Sequence, residues 1–358
     1  MMNEMLYELW LFCLPDISRG KKRKLLDIYG TAEGIYNADI NELKDILSEG
    51  LLRVYEKTKD TDKIKKTAEG INENHIEFIY EGMPSYPERL KNIPDPPISF
   101  CVKGRLPSDD MPTVGIIGSR RASAYGVEVA MYFARELAKN GVGIISGLAM
   151  GIDGMSHKGA LMGGGYTLGV IGGGIYSVYP RENYMLYKEM GERGGIFSEY
   201  PPKERAIAFH FPERNRIISA FSDCLLVVEA KEKSGTFITV DQALEQGKEI
   251  YVIPGRISDL NSRGCYKLME DGAKPVNTPK ELMEYMGMSI TVPSEEKTIP
   301  LDPDEKKVYD CLSLRPVFID EIVRQTKLSV GNCLSILLRF EIQGLAKQPV
   351  KNYYTKFL

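Results

Sequence analysis

Between about residues 74 and 288, short β-branched runs alternate with stretches of helical length and period. The runs are 113–117 TVGII, 142–145 VGII, 167–171 TLGVI, 195–197 GIF, 223–228 DCLLVV and 249–253 EIYVI. Strands separated by helices point the same way, so this alternation predicts an α/β fold built on a parallel sheet with helices on both faces. The runs are nearly continuous in apolar residues, as strands buried on both sides must be.

The flanks read differently. From residue 1 to about 73, Leu6, Leu9, Leu25, Leu26, Ile28, Ile35, Leu43, Ile46 and Leu47 recur at mixed three- and four-residue spacings, and Gly20, Gly30, Gly34 and Gly50 interrupt them. That pattern predicts short helices. Segment 14–30, LPDISRGKKRKLLDIYG, reads as a helical hairpin with a basic turn. Its Lys21, Lys22, Arg23 and Lys24 suit phosphate contact and a solvated helix start equally well. Residues 289–300, SITVPSEEKTIP, are polar with two prolines and read as a linker. After them, 301–358 has the rhythm of three helices with a helix–turn–helix and a closing β-wing. The expected domains are therefore 1–73, helical; 74–288, sheet; 289–300, linker; and 301–358, a small C-terminal unit. A chain of 358 residues is long enough for two or three domains.

Several function classes are disfavoured. No run of ~18 uncharged apolar residues is present, which speaks against a membrane-spanning helix. The N-terminal stretch places its apolar residues before its basic cluster and carries Glu4 and Glu8 among them. That order is wrong for a secretory signal, and a cytoplasmic location is expected. No two of the six cysteines are closer than 22 residues, and the histidines at 75, 157 and 210 are scattered. No metal site or cofactor is expected from them. The 46 Lys/Arg and 49 Asp/Glu leave a net charge of −3, so nucleic-acid binding would need a local patch.

The turns after the strands are the informative feature. Gly118-Ser119-Arg120-Arg121 follows the first run, Ser146-Gly147 the second, Gly172-Gly173-Gly174 the third, Ser234-Gly235-Thr236 the fifth and Pro254-Gly255-Arg256 the sixth. In an open parallel sheet all of these lie on the carboxyl edge, where ligands bind. Glycine lets backbone N–H groups approach an anion, hydroxyls add donors, and arginine grips phosphate with two N–H groups. A dinucleotide is disfavoured, because GSRRASAYG is not GxGxxG; a Walker A loop is absent.

Segment 205–216, RAIAFHFPERNR, interleaves cations with rings; from 200 to 216 there are four Lys/Arg against two Glu. Charge beside aromatic faces suits a single strand, with Phe211 under a base and Arg214, Asn215 and Arg216 toward phosphates. The competing reading buries the phenylalanines and pairs the arginines with Glu199, Glu213 or Glu229. Asp153 and His157 stand i,i+4 and could form an acid/base pair, or a helix-start carboxylate and a packed neutral ring. KEKSGTFITVDQA at 231–243 is reminiscent of the phosphate loop of nucleoside-monophosphate phosphoribohydrolases, but Phe237, Ile238 and Thr239 stand where that family carries its glutamate. Binding without catalysis is the expectation, with a phosphoribohydrolase-like enzyme as the alternative.

Taken together, GSRRASAYG at 118–126, SGLAMGIDGMSHKGAL at 146–161, GGGIYSVYPREN at 172–183, SEYPP at 198–202, FPERNRII at 211–218, VVEAKEKSGTFIT at 227–239, QGKEIYVIPG at 246–255 and SRGCYKLMEDGA at 262–273 resemble the DNA processing protein A family (DprA, also called Smf). The resemblance covers roughly 75–280 strongly. It implies an extended Rossmann-like fold with a sterile-alpha-motif-like helical domain before it and a winged-helix domain after it. It implies a homodimer that binds single-stranded DNA without sequence preference, passes it to the RecA recombinase in natural transformation and recombination, and catalyses no reaction. Carried onto this chain, the phosphate pocket would use Gly118, Ser119, Arg120, Ser146, Gly147, Ser234, Gly235 and Thr236. Phe211 would stack a base, and Arg181, Arg214 and Arg216 would add charge. Where family members often carry a lysine three residues before that phenylalanine, this chain has Ala208, with Lys203 and Arg205 nearby. The hairpin glycine expected near 18 stands at Gly20.

Overall fold

The structure is a computed structural model that describes residues 2–288, 301–313 and 316–356. The chain forms two compact units, Met1–Ser289 and Ile290–Leu358; the linker expected at 289–300 lies outside the described residues.

The first unit is built on a nine-stranded sheet: β1 (Ile76–Tyr80), β2 (Ser99–Gly104), β3 (Thr113–Ile117), β4 (Gly143–Ser146), β5 (Thr167–Ile171), β6 (Gly195–Ser198), β7 (Cys224–Val227), β8 (Glu249–Val252) and β9 (Lys274–Pro275). Their order is β1-β2-β6-β5-β4-β3-β7-β8-β9. All six expected runs are strands, and they pair in parallel. The sheet is nevertheless mixed, because β1 pairs antiparallel with β2 and β2 antiparallel with β6. From β3 the chain winds outward through β4, β5 and β6, then returns to β7 on the other side of β3. The β3/β7 junction is therefore the topological switch point, the place where an open α/β sheet leaves a crevice at its carboxyl edge.

Both faces are covered. One packs on helices His210–Ala220, Thr236–Glu245 and Arg263–Glu270 in a core holding Phe100, Phe197 and Phe221. The first two rings of that trio stack at 4.5 Å. The other face packs on helices Ile152–Met162 and Tyr184–Arg193 through Leu161, Tyr187 and Met190. The N-terminal helices have their own core around Trp10 and Tyr55. Leu9, Phe12, Ala68 and Ile71 also enter the second core of the sheet, so these helices belong to the same compact unit.

Two of the four cations of the basic turn, Lys22 and Arg23, are engaged by the protein itself. Lys22 Nζ donates to Phe12 O at 2.8 Å, and burial pulls its pKa down to about 8. Arg23 pairs with Glu81, and Arg19 with Asp95 and Glu199. Phosphate contact through Lys22 or Arg23 is thus replaced by internal pairing.

The second unit packs helices Pro303–Cys311, Ile319–Thr326 and Val330–Gln343 beside a three-stranded sheet of β10 (Val317–Phe318), β11 (Ala346–Val350) and β12 (Tyr353–Lys356), in the order β10-β12-β11. A capping box at Asp302 and Glu305 starts its first helix.

Arg89 ties the sheet's entrance together. It donates to Thr113 Oγ1 (2.7 Å), Phe221 O (3.1 Å), Asp109 O (2.9 Å) and Met111 O (2.8 Å), and it pairs with Asp223 at 3.1 Å. Arg89→Met keeps the apolar stem and strands these acceptors, so urea titration should show a loss of about 2–3 kcal/mol. Lys91→Met, which breaks only an exposed pair with Glu88, should cost under about 0.5 kcal/mol.

Candidate nucleic-acid interface

The β3 and β7 turns meet at the switch point and are fixed by one buried carboxylate. Glu229 follows β7 and is 3% exposed. Its Oε2 accepts from Ser123 N at 2.9 Å and Asn261 Nδ2 at 3.2 Å, and its Oε1 accepts from the Ser123 hydroxyl. Its backbone oxygen accepts from Ser119 N at 2.8 Å. Ser123 in turn caps helix Ala124–Lys139 by accepting from Gly126 N at 3.0 Å. The β4 turn comes in close beneath. Gly151 has φ +78°, and a Cβ there would stand 2.2 Å from Ser119 O, so only glycine lets the two turns approach.

Above these turns lies a cavity of about 690 Å³. Gly118, Ser119, Arg120 and Arg121 line it from β3, Lys231, Lys233, Ser234, Gly235 and Thr236 from β7, and Phe211, Arg214 and Asn215 from helix His210–Ala220. Asp153 and Tyr179 complete it from the β4 and β5 turns. Ser234 Oγ and Thr236 Oγ1 are 2.8 Å apart, and Ser234 Oγ also accepts from Thr236 N at 3.2 Å. Arg120 is exposed, and its guanidinium lies 4.7 Å from the centroid of Phe211. Among the described residues it makes no hydrogen bond or ion pair, so both of its N–H edges are available to an anion.

Arg214 is buried beneath this layer. Its Nη1 donates to Gly147 O at 2.6 Å and to Val170 O, joining the ends of β4 and β5. Burial pulls its pKa down to about 10, against the attraction of Asp153. Burial pushes the Asp153 carboxyl up, opposed by Arg214, Arg120 and the backbone N–H groups of Ala149 and Gly147. The lining thus sets five cations, Arg120, Arg121, Arg214, Lys231 and Lys233, against one carboxylate.

The model of the DNA recombination-mediator protein A family matches residues 77–287, well over half the chain. The chain belongs to that family. The DprA winged-helix model matches 292–349. DNA processing protein DprA of Bacillus subtilis is 40% identical over 225 residues, covering 63% of this chain and 76% of the relative. DNA processing protein A of Streptococcus pneumoniae, a crystal structure, superposes with a TM-score of 0.68 at 31% identity, covering 79% of this chain and 98% of that one. DNA processing protein A from Helicobacter pylori, whose structure was solved for its single-stranded DNA binding mode, superposes with a TM-score of 0.53 at 29% identity, over 60% of this chain and 97% of that one.

Of the residues expected at the site from the sequence, Gly118, Ser119, Arg120, Phe211, Arg214, Asn215, Ser234, Gly235 and Thr236 come together around the cavity. Four do not. Ser146 is fully buried, its hydroxyl donating to Ile116 O at 2.6 Å. Gly147 lies behind the lining, where its carbonyl holds Arg214. Arg181 is exposed on the turn Arg181–Asn183 but outside the lining. Arg216 is 6% exposed and clamps Glu199 through Nη1 at 2.8 Å and Nη2 at 2.7 Å. The helix explains the difference. Residues 211, 214, 215 and 218 share the cavity face at i, i+3, i+4 and i+7, and Arg216 lies across the axis. The β8 turn at Gly255 and Arg256 also stays outside the lining.

Asp153 and His157 form no acid/base pair. His157 is fully buried, with Nδ1 2.6 Å from Thr167 Oγ1. That hydroxyl donates to Ile144 O at 2.8 Å, so His157 Nδ1–H is the donor and Nε2 is bare. Burial, reinforced by Arg214, lowers its pKa to about 3. The unfolded chain takes up this proton near pH 6.5 and the folded chain does not. The associated stability is therefore full above about pH 6.5 and is lost as pH falls toward 3. Urea titrations should give His157→Gln a slope of stability against pH shallower than the parent's by about 1.4 kcal/mol per unit between pH 4 and 6.

Proposed function

We propose that the chain is a sequence-independent single-stranded DNA-binding protein acting as a recombination mediator. The observation that carries this reading is the cavity at the switch point. It combines exposed cations, hydroxyl and backbone donors and an aromatic face, the three elements that grip an unpaired strand. The Helicobacter pylori relative, named for single-stranded DNA binding, supports the same substrate. Membership of the DprA family supports handover of the strand to RecA by a homodimer in the cytoplasm; retention of RecA on the immobilised, DNA-free chain is the expected result there.

The site is read as a binder and not as a reaction centre. Positions where a phosphoribohydrolase would carry its glutamate hold Phe237, Ile238 and Thr239, and Ile238 and Thr239 line the cavity. Incubation with nucleoside monophosphates should release no free base.

Arg120→Ala should weaken binding of oligo-dT and of mixed-sequence strands by the same factor in fluorescence anisotropy. The slope of log K against log salt should become shallower by about 0.7, one phosphate contact on a single strand. Arg216→Met should leave the affinity of the folded fraction unchanged. Parental affinity for Arg120→Ala, or strong discrimination between sequences, would remove this reading.

A further inference from the structure

The strand-binding cavity contains a second ring that the family-derived site does not include. Tyr179 lines it, 54% exposed, with its ring centroid 5.7 Å from that of Phe211 and the two planes inclined by 40°.

Two features distinguish this tyrosine from an ordinary exposed loop side chain. Its backbone is held on both sides. Upstream, Gly174 N donates to Glu204 O at 2.8 Å and Tyr176 N to Pro202 O at 2.9 Å. Downstream, Asn183 Nδ2 donates to Leu148 O at 3.0 Å and Ala149 O at 3.1 Å, pinning the turn to the end of β4. The ring therefore rests on a fixed frame, as a binding platform requires. The second feature is the state of its neighbour. Phe211 is half-buried, lies under the Arg120 guanidinium and presses against Gly172, where a Cβ would stand 3.0 Å from Phe211 Cδ1. Of the two rings, Tyr179 is the one open to an incoming base.

We propose that Tyr179 is a second base-stacking platform, so that the cavity seats two consecutive bases of the strand, one on each ring. The inference rests on the single-strand reading above. A centroid spacing of 5.7 Å exceeds the ~3.4 Å rise between stacked bases, so the bases are splayed, one per ring. With the first base on Tyr179, the adjoining phosphate lies within the reach of Arg120. Arg120 leaves Phe211 for that phosphate and opens the second platform. A base on a bare π-face is held whatever its identity, which agrees with binding without sequence preference.

The test compares the parent, Tyr179→Ala and Tyr179→Phe, each on oligo-dT and on an abasic strand of equal length, by anisotropy at fixed salt. Tyr179→Ala should weaken oligo-dT by roughly 5- to 150-fold, the worth of one stacked base. It should change abasic binding less than twofold, and Tyr179→Phe should restore oligo-dT binding, because the ring and not the hydroxyl carries the contact. Unchanged oligo-dT affinity in Tyr179→Ala would overturn the proposal. So would equal losses on both strands, which would mark Tyr179 as a prop for the cavity wall. A parent that bound neither strand would instead overturn the single-strand reading, and this inference with it.

Discussion

The buried carboxylate of Glu229 is the constraint on which the interface depends. A charge so enclosed is tolerated only when its lone pairs are filled, and here the Ser123 N–H, the Ser123 hydroxyl and Asn261 fill them. Those donors come from separate stretches of chain, one after β3 and one after β8. Satisfying one side chain thus fixes the β3 turn, the start of the helix behind it and the β7 turn in a single geometry. The exposed donors and cations carried by those turns are ordered before any ligand arrives, and a strand that binds them has less conformational freedom left to remove. Loss of the carboxylate would free both walls of the cavity together.

Three arginines near this site illustrate how little composition says about role. Arg120, Arg214 and Arg216 carry the same group in three electrostatic settings. Arg120 is exposed beside a ring and keeps its N–H edges for an anion. Arg214 is a buried brace between strand ends, its Nη1 shared by two carbonyls and its Nε without a hydrogen-bond partner among the described residues. Arg216 is closed off by Glu199 and by Asp95 O. Only the first has donors to offer at the surface, and the second adds positive potential from below. For a chain whose overall charge is −3, such sorting creates a cationic crevice where composition gives no sign of one.

How legible the fold was follows from what each strand buries. The six central strands are covered on both faces, so their apolar runs are nearly unbroken and stand out in the sequence. β1 and β2 escape that pattern. Their antiparallel positions at the edge admit charges such as Glu77 and Lys103, and two-residue β9 is too short to show any period. The site was legible where it depends on turn chemistry, as at Gly118–Arg120 and Ser234–Thr236. It was not legible where it depends on helical phase, which separates Asn215 from Arg216 one residue later. Tyr179 lay in plain view within the motif 172–183, but its exposure and its distance from Phe211 belong to the folded chain alone. Ser146 misled for the opposite reason: a hydroxyl at a strand end suits an anion pocket, yet this one completes a hydrogen bond inside the sheet.

The C-terminal unit has a different surface chemistry. A helix that reads duplex DNA presents cations and amides, and its affinity comes largely from neutralising phosphates. Along helix Val330–Gln343 an exposed apolar row of Val330, Leu334, Leu338 and Ile342, spaced i, i+4, i+8 and i+12, runs beside exposed Asn332, Ser335 and Gln343. Arg339, on the same helix, is engaged by Glu305 at 2.9 Å. Counterion release from phosphates cannot be driven by an apolar row. Among the described residues, cations, hydroxyls and rings converge on one cavity at the switch point of the larger unit.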